Sequence, residues 1–570
     1  MSVAASFQNL PEKVILSIIP HLQTVGKARV YANRNGTPLS RYVAIELLHI
    51  NRTWRSAVMQ VLCSEYRLHI FSRNSGISGE FSLWPTGLLQ PDQQQFKHVS
   101  KLVIVIDHNC IFNGMAVHSI YRAWNNCLIF SNVTNLNLVI EYNHIDHNLL
   151  MHDYNSHAHV FAKHLRSMVP QMQTVDVKYS AYTQVKDMTT EQSLNKLLTS
   201  VMHNTVYSSL TICNNDFLSN YYPHVKHTLS RIDCCWDEGY AKMLPLIHET
   251  AETLQELKLA CHGISREMLN KLFLNSTGNY IIYHQLEKLV FEATANWEKL
   301  HRPTLPQYVF FPKLCYLYLG IVYPFNDDIL FRGNSATLEY LCITPDLDMV
   351  NMLNKYRVFA EQKHTRLRHI IVNNQFNSEH LITEDALMQL ANAIARVTYN
   401  ASSAVESITM HNSSAGEKLV AAMIQSMHMT FLKQLHIESS RLSLTDIVNL
   451  LQALPRLVEL HCMCDGIGEE SAGVPVKQLA DYMYHNYYPL STSFKYWKIV
   501  HDYKTPLSGD KSIGDMVICS LLVSVVCPNF KYPHISEIFR LRFNNTIKQA
   551  IAYNPADKLV KNMKALIISE

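Results

Sequence analysis

The chain has 570 residues, of which 48% are apolar and 17% charged, with a formal net charge of +3. The low, evenly mixed charge excludes a disordered chain and offers no basic face for nucleic acid or an anionic membrane. Thirteen cysteines, an odd number without framework spacing, point to free thiols in a reducing compartment and not to a disulfide scaffold.

No basic stretch followed by an apolar one opens the N-terminus, and the longest apolar run, Met516–Cys527, has 12 residues. A membrane-spanning helix needs about 20. The expectation is a cytoplasmic or nuclear protein with no membrane partner.

In chain order, the first pattern is helical. Leu10, Val14, Ile15, Ile18, Ile19 and Leu22 recur at helical spacing, with Pro11 where a first turn tolerates it. A polar stretch from Gln23 to Arg41, with Gly36 and Pro38, reads as a loop. A second helix is expected over Tyr42–Tyr66, with Leu47, Ile50, Trp54, Val58 and Leu62 on one face. Residues 71–95 read as a connector, broken at Trp84-Pro85.

From residue 99 one strand-sized unit, apolar-x-x-apolar-x-apolar, keeps returning. It reads Val99/Leu102/Ile104, Val133/Leu136/Leu138, Met172/Val175/Val177, Tyr207/Leu210/Ile212 and Leu254/Leu257/Leu259. It continues as Leu286/Leu289/Phe291, Leu314/Leu317/Leu319, Leu338/Leu341/Ile343, Leu367/Ile370/Val372, Val405/Ile408/Met410, Leu432/Leu435/Ile437 and Leu457/Leu460/Cys462. Phe494/Trp497/Ile499 extends the series. Units this small cannot each own a core, so they must stack as a solenoid.

Helical segments are expected between units over His157–Met168, Glu191–His203, Arg266–Phe273, Asp385–Val397, Gly416–Met427 and Ser443–Leu454, the last opening on Ser443-x-x-Asp446. Pro170, Pro312 and Pro455 stand two positions before a unit, where they mark the return to a strand. Strands alternating with helices imply a parallel sheet with right-handed crossovers. Ser512–Cys527 and Ser536–Ala552 read as closing helices. The expected class is therefore α/β: a helical module over 1–70, the connector, a solenoid over 96–505 with a curved parallel sheet and helices on its convex side, and a cap over 506–570.

The N-terminal residues resemble an F-box. LPEKVILSIIPHL is similar to the family's opening Leu-Pro and apolar helix, and ELLHINRTWRSAV to its closing helix, with Ile50, Asn51, Arg52, Trp54 and Arg55 in the corresponding places. The connection between Leu22 and Val43 is longer than the family's turn. The remainder, FPKLCYLYLGIVYPFNDDILFRGNSATLEYLCI above all, resembles the leucine-rich repeats joined to F-boxes in many fungal proteins. The resemblance implies a substrate-recognition subunit of a cullin-RING, SCF-type ubiquitin ligase, which docks a Skp-type adaptor by the F-box and a substrate protein by the repeats. Leu10, Pro11, Ile15, Ile18, Ile50 and Trp54 are the expected adaptor contacts, with Trp54 open to a second role as a buried pin. The alternative is a non-catalytic scaffold whose helices only cap the first repeat.

Residues between the buried repeat positions face the open side of the sheet. Tyr316, Tyr318, Tyr340, His369, His436 and His461 are the expected substrate-facing positions, since rings with an apolar body and a polar tip suit protein recognition. His461, Cys462 and Cys464 cluster, yet no second Cys or His pair follows at zinc spacing, so no metal or cofactor is expected. No His-Glu-x-x-His, phosphate-binding Gly-x4-Gly-Lys-Ser/Thr or Gly-x-Ser-x-Gly occurs. No catalytic residue is expected, and the chain reads as a binding protein.

Overall fold

The buried apolar unit organises the structure, a computed structural model of the chain. It describes residues 10–17, 41–70, 77–82, 93–107, 130–142, 154–181, 197–198, 201–202, 205, 207–213, 229–235, 240–261, 271–275, 277–293, 311–320, 336–343, 366–373, 392, 405–411, 415–426, 431–464, 491–499, 523, 527, 529–530, 532–535, 544–545 and 548. The fold is α/β with a mostly parallel sheet. The chain divides into two compact units, residues 1–260 with 275–281 and residues 261–274 with 282–570. Ile18 lies outside the described residues, as do the loop after it and, apart from isolated positions, the expected helices Asp385–Val397, Ser512–Cys527 and Ser536–Ala552.

In the first unit, residues 12–17 are helical and pack against α1 (Arg41–Ile50) and α2 (Arg52–Leu62). The single helix expected over Tyr42–Tyr66 is two helices. Asn51 takes an extended conformation and its side chain accepts from the Trp54 amide at 2.9 Å, the geometry of an N-cap that starts a new helix. The chain leaves α2 at Cys63 and enters β1 (Glu65–Ile70). β2 (Ile77–Phe81), within the expected connector, runs antiparallel to β1. A 3-10 turn, Gln93–His98, leads to β3 (Lys101–Asp107). β4 (Asn135–Tyr142), β5 (Thr174–Ala181), β6 (Tyr207–Cys213), β7 (Leu229–Cys235) and β8 (Glu256–Cys261) follow in parallel, each paired with the next, and β1 pairs in parallel with β3. Helices α3 (Tyr154–Met168) and α4 (Tyr240–Glu249) lie between strands. The presence of Pro245 hid α4 from the sequence reading.

The second unit holds nine parallel strands among its described residues: β9 (Lys288–Ala293), β10 (Tyr316–Leu319), β11 (Tyr340–Ile343), β12 (His369–Asn373), β13 (Ser407–His411), β14 (Gln434–Leu442), β15 (Glu459–Cys464), β16 (Tyr496–Ile499) and β17 (Tyr532–Ile535). α5 (Ala415–Ser426) and α6 (Leu444–Ala453) pack on each other and on β14. α6 opens with the capping box: the Asp446 amide donates to Ser443 Oγ at 3.1 Å and the Ser443 amide to Asp446 Oδ2 at 3.1 Å.

Two backbone devices repeat in both units and show why the six-residue pattern is a strand. The first residue of a unit donates its amide back to the carbonyl three positions earlier: Val133 to Phe130, Met172 to Val169, Leu314 to Phe311, Leu457 to Leu454. Pro170, Pro312 and Pro455 therefore occupy the second position of a tight turn, where a fixed φ is an advantage. The carbonyl after the first residue then receives two successive amides of the next coil. Ser100 accepts from Thr134 and Asn135, Cys315 from Glu339 and Tyr340, and Val458 from Lys495 and Tyr496. The apolar positions follow this frame: Leu102, Ile104, Leu136, Leu138, Leu317, Ile370, Ile408, Leu435, Leu460 and Trp497 are at most 1% exposed. Each fully buried Leu or Ile contributes about 1.5–3 kcal/mol.

Three coils escape the expected series. Cys63/Tyr66/Leu68 forms β1, with the Ser64 carbonyl accepting from the Ser100 and Lys101 amides as the frame requires. Leu229/Ile232/Cys234 forms β7, and Phe530/Pro533/Ile535 forms β17. The unit expected at Tyr207 is offset: Val177 pairs with Leu210 and Val175 with Ser208, so relative to β5 the coil begins at Thr205, whose amide donates to the Met202 carbonyl. Ser208, fully buried, fills a place where the pattern asks for an apolar residue.

Candidate functional site

Register alone builds the candidate site. On the second unit's open face, Lys288, Tyr316, Tyr340, His369, Ser407, Gln434, Glu459 and Tyr496 fall opposite one another on successive strands. A second row, two residues on, runs Val290, Tyr318, Cys342, Ile371, Thr409, His436, His461 and Lys498. Side chains opposite on one sheet face sit close enough to touch, so rings in these rows form ladders.

The rows change character along the strands. At the β9–β12 end the Lys288 ammonium lies 5.2 Å from the Tyr316 ring centre, Tyr316 and Tyr340 are 6.1 Å apart, and Tyr340 stacks on His369 at 4.3 Å. Val290, Tyr318 and Cys342 form a small apolar cluster beside them, with Tyr316 and Ile371 packed on it. Tyr340 is 39% exposed and Tyr318 only 9%, so Tyr340 presents its ring while Tyr318 supports the surface from within.

At the β14–β16 end the surface becomes ionic. The His436 and His461 imidazoles stack in parallel at 3.7 Å. His461 Nε2 lies 2.7 Å from Glu459 Oε1, and His436 Nε2 lies 3.6 Å from the same oxygen. His461 Nδ1 faces Glu438 Oε1 at 3.7 Å, and Lys498 Nζ donates to that oxygen at 2.7 Å. Gln434 Nε2 donates to Glu459 Oε2 at 2.9 Å. Burial, with the His461 ring beside it, pulls the His436 pKa down to about 4. The His461 imidazole and the Lys498 ammonium hold Glu438 down at about 2. Among the described residues, His436, Glu459 and His461 are the one group of three whose side-chain donors converge in a way that could hold a metal ion. Sequence spacing missed it because His436 and Glu459 belong to different coils, and only the β14–β15 register brings them together.

The expected adaptor contacts separate into inside and outside. Ile15 and Trp54 are fully buried in the module's own cluster with Ala44, Leu47, Ala57, Val58 and Leu62. Leu10 and Ile50 are partly buried at its border, and Pro11 is exposed. Val14, not among the expected contacts, is 40% exposed. Glu12 ties the first helical segment to α2 by accepting from Ser56 Oγ at 3.0 Å and Gln60 Nε2 at 2.7 Å. No helix among the described residues is long and apolar enough to cross a membrane. No protein-family model matches the chain, and no curated protein matches it significantly in sequence.

Proposed function

We propose that this chain is a non-catalytic substrate-recognition subunit of an SCF-type cullin-RING ubiquitin ligase. Its N-terminal helices dock a Skp-type adaptor, and its leucine-rich-repeat coils hold a substrate protein by the Tyr- and His-rich face. It acts in the cytoplasm or nucleus by proximity and orientation and not by bond chemistry. The observation that carries the reading is the row of rings across β10–β12, where Tyr316, Tyr340 and His369 stand in register beside an apolar patch. Aromatic side chains with a polar tip are what protein-binding hot spots use. For the adaptor half, the support is the resemblance of the N-terminal helices together with Leu10, Pro11 and Val14, which lie at the border or outside of the module.

A second reading, an interaction scaffold that binds no ligase adaptor, is favoured by one observation: Ile15 and Trp54 point into the module's own core. A pull-down with the adaptor of the same organism separates the two. Leu10→Ala with Pro11→Ala should weaken capture by about 2 kcal/mol or more if these residues are hot spots, roughly thirtyfold. Circular dichroism confirms that the variant folds. A wild-type chain that captures no adaptor leaves the scaffold.

A further inference from the structure

We propose that His436, His461 and Glu459 form a Zn²⁺ site on the outward face of β14 and β15. His436 and His461 are directly opposite in the parallel register, and Glu459 lies two residues before His461, on the same face of β15. One ring nitrogen of His436, one of His461 and a Glu459 carboxylate oxygen all lie within 4.8 Å of one another. Tetrahedral zinc with bonds of about 2.0–2.1 Å sets its ligand atoms about 3.3 Å apart. The observed 2.7 Å and 3.6 Å separations from Glu459 Oε1 bracket that spacing.

The surroundings are those a metal site needs. Zinc-binding histidines turn their other ring nitrogen to a carboxylate or carbonyl, which fixes the tautomer and aims the free nitrogen at the ion. His461 Nδ1 faces Glu438, and Glu438 is itself held by Lys498. The Glu459 oxygen outside the cluster accepts from Gln434, leaving Oε1 to converge on the two imidazoles. His436 Nε2 is buried without a hydrogen-bond partner, a state that costs free energy unless something satisfies it. A shared ion requires one ring to leave the parallel stack by turning about its Cβ–Cγ bond, a broad torsion in histidine. Two imidazole nitrogens select zinc and its neighbours over Ca²⁺ or Mg²⁺, which prefer oxygen. Three protein ligands leave a fourth position for water or for a side chain of a bound protein.

The site belongs to the free chain, so it stands or falls independently of adaptor docking. The test is Zn²⁺ titration of the full-length protein by calorimetry, with Mg²⁺ and Ca²⁺ as controls and Co²⁺ absorption as a reporter of tetrahedral coordination. The expected result is saturable Zn²⁺ binding in which His436→Gln or Glu459→Gln lowers the stoichiometry by one and abolishes the tetrahedral cobalt spectrum. Glu438→Gln, which leaves all three ligands in place, should weaken that binding about 10- to 100-fold. Circular dichroism checks each variant, and either ligand variant, if folded, decides the matter. Absence of Zn²⁺ binding in the wild type, or unchanged stoichiometry and affinity in a folded ligand variant, overturns the proposal.

Discussion

The two units bury the same residues and show different ones. In the first, the outward row that opens the strands carries mostly short polar groups and charges, several matched across strands. Lys101 pairs with Glu65 at 2.7 Å and Arg231 with Glu256 at 3.2 Å, while Thr174 donates to Asn135 and Ser209 to Asp176. In the second, the corresponding places carry tyrosine and histidine rings, stacked at 4.3 Å between Tyr340 and His369 and at 3.7 Å between His436 and His461. The inward positions are fixed by packing, so they converge on Leu, Ile and Val. The outward positions are free of that demand. A mutually satisfied polar face gains little by adding a partner, whereas a row of rings has area still to bury.

Four experiments test this contrast. The largest effect is expected from the buried tryptophans. Trp54→Ala should cost about 3–5 kcal/mol in the N-terminal module, and Trp497→Ala a similar amount in the β15–β16 region. Hydrogen exchange should show each loss confined to its own neighbourhood, because stacked coils depend mainly on adjacent ones. Loss of protection at both places from either substitution would mean that the units are not separate in stability.

The next effect is kinetic. Burial pushes the thiols of Cys63 and Cys527, one in each unit, up to about 12 from the ordinary 9.0. Burial also raises half-exposed Cys315, first among several causes, with Glu287 and Glu339 adding to it. Of these three, iodoacetamide at neutral pH should reach Cys315 first. Three pKa units correspond to about a thousandfold less thiolate at Cys63 and Cys527, which should react only on unfolding. The raised values favour the neutral thiols in the folded chain. Their contribution to stability is therefore complete below pH 9 and falls as pH rises toward 12. Alkylation followed by peptide mass mapping reads the order of the sites. Fast native labelling of Cys63 would show that its neighbourhood opens.

A smaller change is expected at the α6 cap, where Ser443→Ala removes one half of a reciprocal pair and should cost about 1 kcal/mol, read as a lowered denaturant midpoint. The smallest is Lys101→Met on the first unit's face. Its partner Glu65 is partly solvated, and such pairs contribute about 0–1 kcal/mol. Tyr340→Ala is the matched test on the other face, with a similarly small effect on stability and a clear loss of captured protein. Equal losses of binding from both substitutions would remove the distinction between the faces.

The sequence made the strands legible because their inward residues obey a fixed spacing. It was silent where another group did the same job. Ser208 lies fully buried in a place reserved for an apolar side chain, and the visible pattern two residues later drew the coil's origin to Tyr207. Pro533 concealed β17, and the helical periodicity running from Leu47 through Leu62 concealed the cap at Asn51. The outward rows could be named from the alternation, but not their contacts. That His436 meets His461, or that Lys498 reaches back two strands to Glu438, depends on register between coils separated by unequal loops. The inward turn of Ile15 was equally hidden, because an apolar stripe does not say whether its cover is the same chain or another, whereas the burial of Trp54 matches the buried pin that the sequence left open.

β2 is the one antiparallel strand among those described, and its consequence concerns polymers. Stacked parallel coils carry no intrinsic stop: a bare first strand would accept the last strand of another molecule, and chains could grow into filaments. β1 has β3 on one side and β2, pointing the other way, on the other, so an incoming parallel coil finds that edge occupied. The Tyr66 ring meets Phe81 of β2 at 5.1 Å and Phe96 at 5.0 Å, and its hydroxyl approaches Gly79 where a Cβ would stand. A glycine there lets the closing strand lie flat over the tyrosine, and a bulkier residue would lift it and open the edge to self-association.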